Sequence, residues 1–290
     1  MSTATPVRRP HSLEELKRAW QALDEGHFRN PPRSGQPQVS VPNSRDIEWV
    51  PATGERTVAV FGCGGSVGAS TLALAMALNA PNPVRVLECC SATTSGLASA
   101  ATAELGLKAS GWRQGRRDHV LIERTIDMFT GPSDIPAPIM TGEEHQLTIL
   151  DIGWEASQLL GTDCWLADAA RGADHVVLVA AATIPGVRRL ESVLAALGHR
   201  QSDRLGDQIT VAVLGPRRKK WPKGVEQAGG AAVRHVLSGD RFVEVPLDRD
   251  LQIRGLDTRP IPTAVLTAAA RISVPDTHSH EQYRSERHHP

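Results

Sequence analysis

At 290 residues, with 40% hydrophobic and 22% charged side chains, the chain can bury one sizeable α/β core. Its 32 basic and 32 acidic residues cancel, which excludes a global field drawing it to nucleic acid or an anionic membrane. No run reaches the roughly 18 uncharged apolar residues of a membrane span.

The N-terminus MSTATPVRRPHSLEELKRAW carries no apolar segment before a cleavage site, so it does not read as a secretory signal. A cytoplasmic protein is expected. Residues 1–56 read as a flexible region holding one short helix, HSLEELKRAWQALDEG. Ser12 and Glu15 have the spacing of a capping box, and Leu13, Leu16, Trp20 and Leu23 form one apolar stripe. That stripe suits either docking on the protein's own core or a tethered helix for a protein partner. The stretch behind it, RNPPRSGQPQVSVPNSRD, is a Pro-rich linker.

From 57 to 274 short apolar runs alternate with helical stretches. The predicted strands are 57–62, 84–89, 120–123, 147–152, 175–180, 209–215 and 242–246. The predicted helices are 70–79, 94–106, 164–171, 187–198, 226–237 and 262–272. Apolar strands in such alternation imply a mainly parallel sheet covered on both faces, a three-layer α/β sandwich. Residues 275–290 form a polar tail. Cys63, Cys89, Cys90 and Cys164 do not have zinc-ligand spacing and are expected as reduced thiols.

The first strand runs into VAVFGCGGSVGASTLALAMA, a glycine-rich turn that opens a helix. In a phosphate-binding loop, backbone N–H groups and the helix N-terminus cradle phosphate, a lysine pairs with it, and a hydroxyl holds magnesium. Here Gly62, Gly64, Gly65 and Gly68 supply the flexible backbone, and Ser70 or Thr71 supplies a hydroxyl, but Ala69 stands where the lysine belongs. A dinucleotide-binding turn competes with this reading. Gly62, Gly64 and, at the right distance, Glu88 fit it, while Val67 occupies the third glycine position.

Taken together, several segments over roughly 57–272 resemble the ParA/MinD-like branch of P-loop ATPases. Gly64, Gly65, Ser66, Val67, Gly68, Ala69, Ser70 and Thr71 occupy that family's loop positions, with both family lysines replaced, by Gly64 and Ala69. LTILDIG resembles the Walker B strand and gives Asp151, which with Ser70 would hold magnesium. VRVLECC offers Glu88 for the first carboxylate of the family's switch but Cys90 for the second, the one that orients water. Gly215-Pro216 stands where a base-contacting asparagine is usual. Stretches such as GPRRKKWPKG and VPLDRDLQIRGLDTRPIP are similar to degenerate actinobacterial members, some found near mobile elements.

The resemblance implies ATP with magnesium, held weakly or not at all. One charge-assisted hydrogen bond is worth about 1.5–3 kcal/mol, so a lost phosphate lysine weakens affinity about 10- to 150-fold. Arg85, Arg188 and Arg254 are candidate substitutes for it. The expectation is a non-hydrolysing, partner-binding or regulatory protein, associated with a plasmid, mobile element or chromosome. The alternatives are an ATP-dependent dimerising switch in partition, conjugation or secretion, and a dinucleotide-binding protein. A homodimer belongs to the family pattern.

A second candidate surface is GPRRKKWPKG, where Arg217, Arg218, Lys219, Lys220 and Lys223 surround Trp221. This suits an acidic protein, nucleic acid by phosphate contact and stacking, or a solvated loop. Arg113, Arg116 and Arg117 beside Trp112 would add to a nucleic-acid surface only if both clusters shared a face.

Overall fold

The computed structural model describes residues 49–81, 83–138, 145–198 and 208–272. The predicted N-terminal helix and the polar tail lie outside them. Among the described residues nine strands form one sheet: β1 (Arg56–Gly62), β2 (Val84–Cys89), β3 (Ala103–Leu107), β4 (Trp112–Arg117), β5 (Val120–Thr125), β6 (Leu147–Ile152), β7 (His175–Ala181), β8 (Ile209–Gly215) and β9 (Phe242–Pro246). Their order is β3-β4-β5-β2-β6-β1-β7-β8-β9, and every pairing from β5 to β9 is parallel. The helices are α1 (Ala69–Asn79), α2 (Ala156–Leu160), α3 (Trp165–Arg171), α4 (Ile184–Gly198), α5 (Ala231–Ser238), α6 (Arg249–Arg254) and α7 (Thr263–Ala269).

The three-layer α/β architecture follows from the side-chain period of the central strands. Successive residues of a strand point to opposite faces, so an unbroken apolar run can feed two cores. Ala59 and Phe61 of β1, with Leu87, Leu150 and Leu178, pack beneath Trp165 and Leu166 of α3 and Val187 and Leu190 of α4. Val58 and Val60, with Val86, Ile149 and Val177, pack beneath Leu72, Leu74 and Met76 of α1 and Val265 and Ala268 of α7. The central strands β2 and β6 are buried along their whole length.

The predicted helix over 94–106 is absent. A short 3₁₀ turn, Ala92–Thr94, is followed by irregular chain and then β3. The Ser/Thr/Gly-rich stretch SATTSG favours local turns over helix. In addition, the Glu88 carboxylate draws the N–H groups of Gly96 and Leu97 away from any helical ladder, at 2.6 and 2.8 Å. The hairpin of β3 and β4 therefore stands between β2 and β5 in the chain, antiparallel to β5. The helix predicted over 226–237 begins later, at Ala231. Gly229 and Gly230 precede it, and the Glu191 carboxylate accepts from the N–H groups of Gly230 and Val233, both at 2.9 Å.

The buried core reaches N-terminal of Thr57. Trp49 packs edge-to-face on Trp165, with ring centroids 5.9 Å apart, and Glu55 pairs with buried Arg85 at 3.0 Å. Among the described residues no helix is long and apolar enough to cross a membrane.

Candidate functional site

The loop Gly62–Gly68 leaves the C-terminal end of β1, in the middle of the parallel sheet, where ligands of open α/β sheets bind. The Cys63 N–H donates to the Val179 carbonyl at 2.8 Å and ties the loop to β7. Val67 is buried and pins its far side, while Gly65 and Ser66 are exposed at its crest. The turn into α1 needs left-handed backbone at Ser66 (φ 58°) and Gly68 (φ 87°). Glycine removes the strain at the second position. Gly68 caps α1 without a side chain, so the first N–H groups of the helix face the loop.

Behind the loop lie the two residues with magnesium-ligand chemistry. Register places Val60, Asp151 and Glu88 side by side on β1, β6 and β2. Asp151 is buried and hydrogen-bonded to the Ser70 side chain. Its carboxyl is pushed up to about 7, by burial first and by the neighbouring Glu88 charge second, with the Ser70 bond opposing. Mg²⁺ commonly takes one or two protein ligands and completes its shell with substrate phosphates and water. Ser70 and Asp151 fit that role.

Glu88 is engaged elsewhere. It is buried and accepts from Ser95 Oγ at 2.6 Å as well as from Gly96 and Leu97, which clamps this loop against the start of α1. Cys90 is packed onto Gly153 so closely that a Cβ there would stand 2.4 Å from its own Cβ. Its carbonyl accepts from Thr125 Oγ1 at 2.6 Å, and its thiol is pushed up to about 12, chiefly by burial. Burial holds this thiol in its neutral form. All four cysteines are free and buried.

The three arginines named as candidate substitutes for the loop lysine do other things. Arg85 is buried in the sheet between Glu55 and Glu123, and its Nε donates to Thr148 at 2.6 Å. Arg254 pairs with Asp250 and Asp257 on and just after α6. Arg188 is exposed on α4. It is Arg189, the next residue, that reaches the loop: a Cβ at Gly64 would stand 2.8 Å from its Nη1. Sequence reading passed over it because Val187 and Leu190 fix the buried face of α4 but do not say which flanking arginine leans toward β1.

The basic loop is partly a folded unit. Arg218 forms an ion pair with Glu226 and donates to the Leu237 carbonyl. Trp221 donates to the Pro216 carbonyl at 2.9 Å and stands edge-on to Phe242, with centroids 6.1 Å apart. Arg217, Lys219, Lys220 and Lys223 are exposed. The other basic cluster does not join them. Trp112 is fully buried, and Arg117 is buried and donates to the carbonyls of Asp257 and Arg259. This cluster lies on β4, near the opposite edge of the sheet from β8 and β9.

A parallel sheet with a glycine loop between its central strand and a helix, backed by a serine–aspartate pair, defines a fold of P-loop NTPase type. No protein-family model matches the chain, and neither does any curated protein. Solved structures do. Apo McdA of Cyanothece aligns with a TM-score of 0.50 at 14% identity, over 75% of this chain and 99% of that one. The cell division ATPase MinD of Pyrococcus furiosus gives 0.46 at 14% identity, over 75% and 98%. A ParA family ATPase from Chlorobium tepidum gives 0.44 at 13%, over 77% and 94%. The McdA alignment supports a shared fold, a mainly parallel α/β sheet with a glycine-rich loop after its central strand.

Proposed function

We propose that the chain is a non-hydrolysing ParA/MinD-like protein that acts by binding a partner or occupying a complex, as a regulatory component associated with a plasmid, mobile element or chromosome. The observation that carries this reading is Cys90. The position that would orient an attacking water is a buried thiol held neutral and wedged against Gly153. With Glu88 engaged by Ser95, Gly96 and Leu97, no carboxylate from the end of β2 is free to do that work. The exposed cations Arg217, Lys219, Lys220 and Lys223 offer an acidic protein or nucleic acid a contact surface, and the compartment proposed is the cytoplasm.

Phosphate release from Mg-ATP by the purified full chain tests this. No turnover above the protein-free rate is expected. Magnesium-dependent turnover that Asp151→Asn abolishes would overturn it.

That outcome would favour the second reading, an ATP-dependent switch, which the hydrogen-bonded Ser70–Asp151 pair supports on its own. The dinucleotide reading is weaker, because the carboxylate it needs for a ribose is buried and holds the 95–97 loop instead.

A further inference from the structure

We infer that Arg189, reaching across from α4 of the same chain, takes the place of the missing loop lysine and makes the loop a site for a nucleoside polyphosphate. This deepens the reading of the loop as a phosphate cradle and rests on it. The first observation is complementary substitution. Gly64 and Ala69 leave the loop without a cation, and the space beside Gly64 is filled by the Arg189 side chain, Nη1 at 2.8 Å and Cδ at 3.7 Å from a notional Cβ. Any side chain at position 64 would displace the guanidinium, so the glycine is what admits it.

The second observation is that this guanidinium is uncommitted. Among the described residues no hydrogen bond or ion pair engages it, whereas Arg85, Arg117, Arg218 and Arg254 are each held by named partners. On the same helix, Glu191 is turned away to cap α5 and does not neutralise it. An exposed arginine ordinarily finds solvent. This one lies against the Gly64 side of a loop whose crest, Gly65 and Ser66, is open.

The chemistry then selects the ligand class. A planar guanidinium meets phosphate oxygens two at a time, through parallel N–H donors that a single ammonium lacks. Ser70 and Asp151 lie behind the loop for magnesium carried in with a polyphosphate. Arg189 approaches the loop from the Gly64 side and not from position 69. It does not restore the water-orienting group absent at Cys90.

Isothermal titration of the full chain with Mg-ATP, Mg-ADP, inorganic tripolyphosphate and NAD tests the assignment, using wild type, Arg189→Ala, Arg189→Lys and Gly64→Ala. Arg188→Ala serves as the neighbouring control. The expected result is binding of ATP by wild type, weakened about 10- to 150-fold in Arg189→Ala, as for the loss of a charge-assisted contact. Arg189→Lys should recover part of the loss. Gly64→Ala should weaken binding by displacing the guanidinium, and Arg188→Ala should bind as wild type. Tripolyphosphate binding as tight as ATP would identify the phosphate chain as the whole ligand and overturn the nucleoside part. Equal ATP affinity in wild type and Arg189→Ala would overturn the role of Arg189. No heat from any polyphosphate would overturn the assignment while leaving the non-hydrolysing reading in place; ATP turnover would sink that reading alone.

Discussion

Asp151 shows what burying a carboxylate costs. Its carboxyl titrates near 7 in the folded chain, against about 3.9 when exposed, because ionisation there leaves a charge beside Glu88 with only Ser70 to bond it. The raised value fixes the sign of the linkage. Stability contributed by the neutral acid is complete below the unfolded pKa and is lost as pH rises toward 7. Asp151→Asn keeps an acceptor for Ser70 and removes the titration. Its stability advantage over wild type in urea unfolding should therefore grow by about 2–3 kcal/mol between pH 5 and pH 8. A gap independent of pH would mean that another group carries the titration. Ser70 and Asp151 were singled out in the sequence by their places after the glycine-rich loop and in the strand LTILDI, and the structure hydrogen-bonds the two side chains. Arg189 was not, because a one-residue difference in helix azimuth separates it from Arg188 and only the packed structure resolves that.

At the scale of elements, the loop after β2 is set by contacts that no periodicity carries. Four predicted strand spans, 84–89, 147–152, 209–215 and 242–246, coincide with β2, β6, β8 and β9, since short runs rich in Val, Ile and Leu next to Gly or Pro are strong signals. The helix predicted over 94–106 fails because Glu88, seven to nine residues upstream, captures the backbone that would have formed it. β4 escaped notice because its polar sequence WRQGRR buries Gln114 against Glu123 of the next strand and Arg117 against the 257–259 segment far along the chain. The clamp is tight: a Cβ at Gly96 would stand 2.8 Å from Ser70 Oγ and 2.9 Å from Ser70 Cβ. Gly96→Ala should therefore destabilise the fold by about 1–3 kcal/mol and push Ser70 off Asp151. Gly65→Ala is the matched control, with nothing within 4 Å of its Cβ, and its urea midpoint should stay within error of wild type. Equal midpoints for the two variants would show that the 95–97 loop yields without strain.

On the scale of the molecule, the segment ahead of β1 belongs to the folded core through charge as much as through apolar contact. Arg85 is almost fully buried at 1% exposure, with Glu55 at 3.0 Å, Glu123 at 3.6 Å and the Trp49 ring 5.8 Å from its guanidinium carbon. Thr148 completes the group, accepting from Arg85 and donating to Glu55. In sequence, Arg85 looked like a free cation in a strand, because its partners come from the segment before β1, from β5 and from β6. A buried cation stripped of one carboxylate keeps its desolvation penalty, and breaking such a pair costs about 3–5 kcal/mol. Glu55→Ala should lower stability by that amount. Glu104→Ala, at the exposed sheet edge where it pairs with Arg124 at 3.2 Å, should cost less than about 1 kcal/mol. By the same reasoning a chain beginning at Thr57 loses both Trp49 and Glu55 and should melt well below one beginning at Trp49. Thermal unfolding of the two fragments decides the point: equal midpoints would mean that Glu123 alone satisfies Arg85, and that the segment before β1 is an appendage and not part of the core.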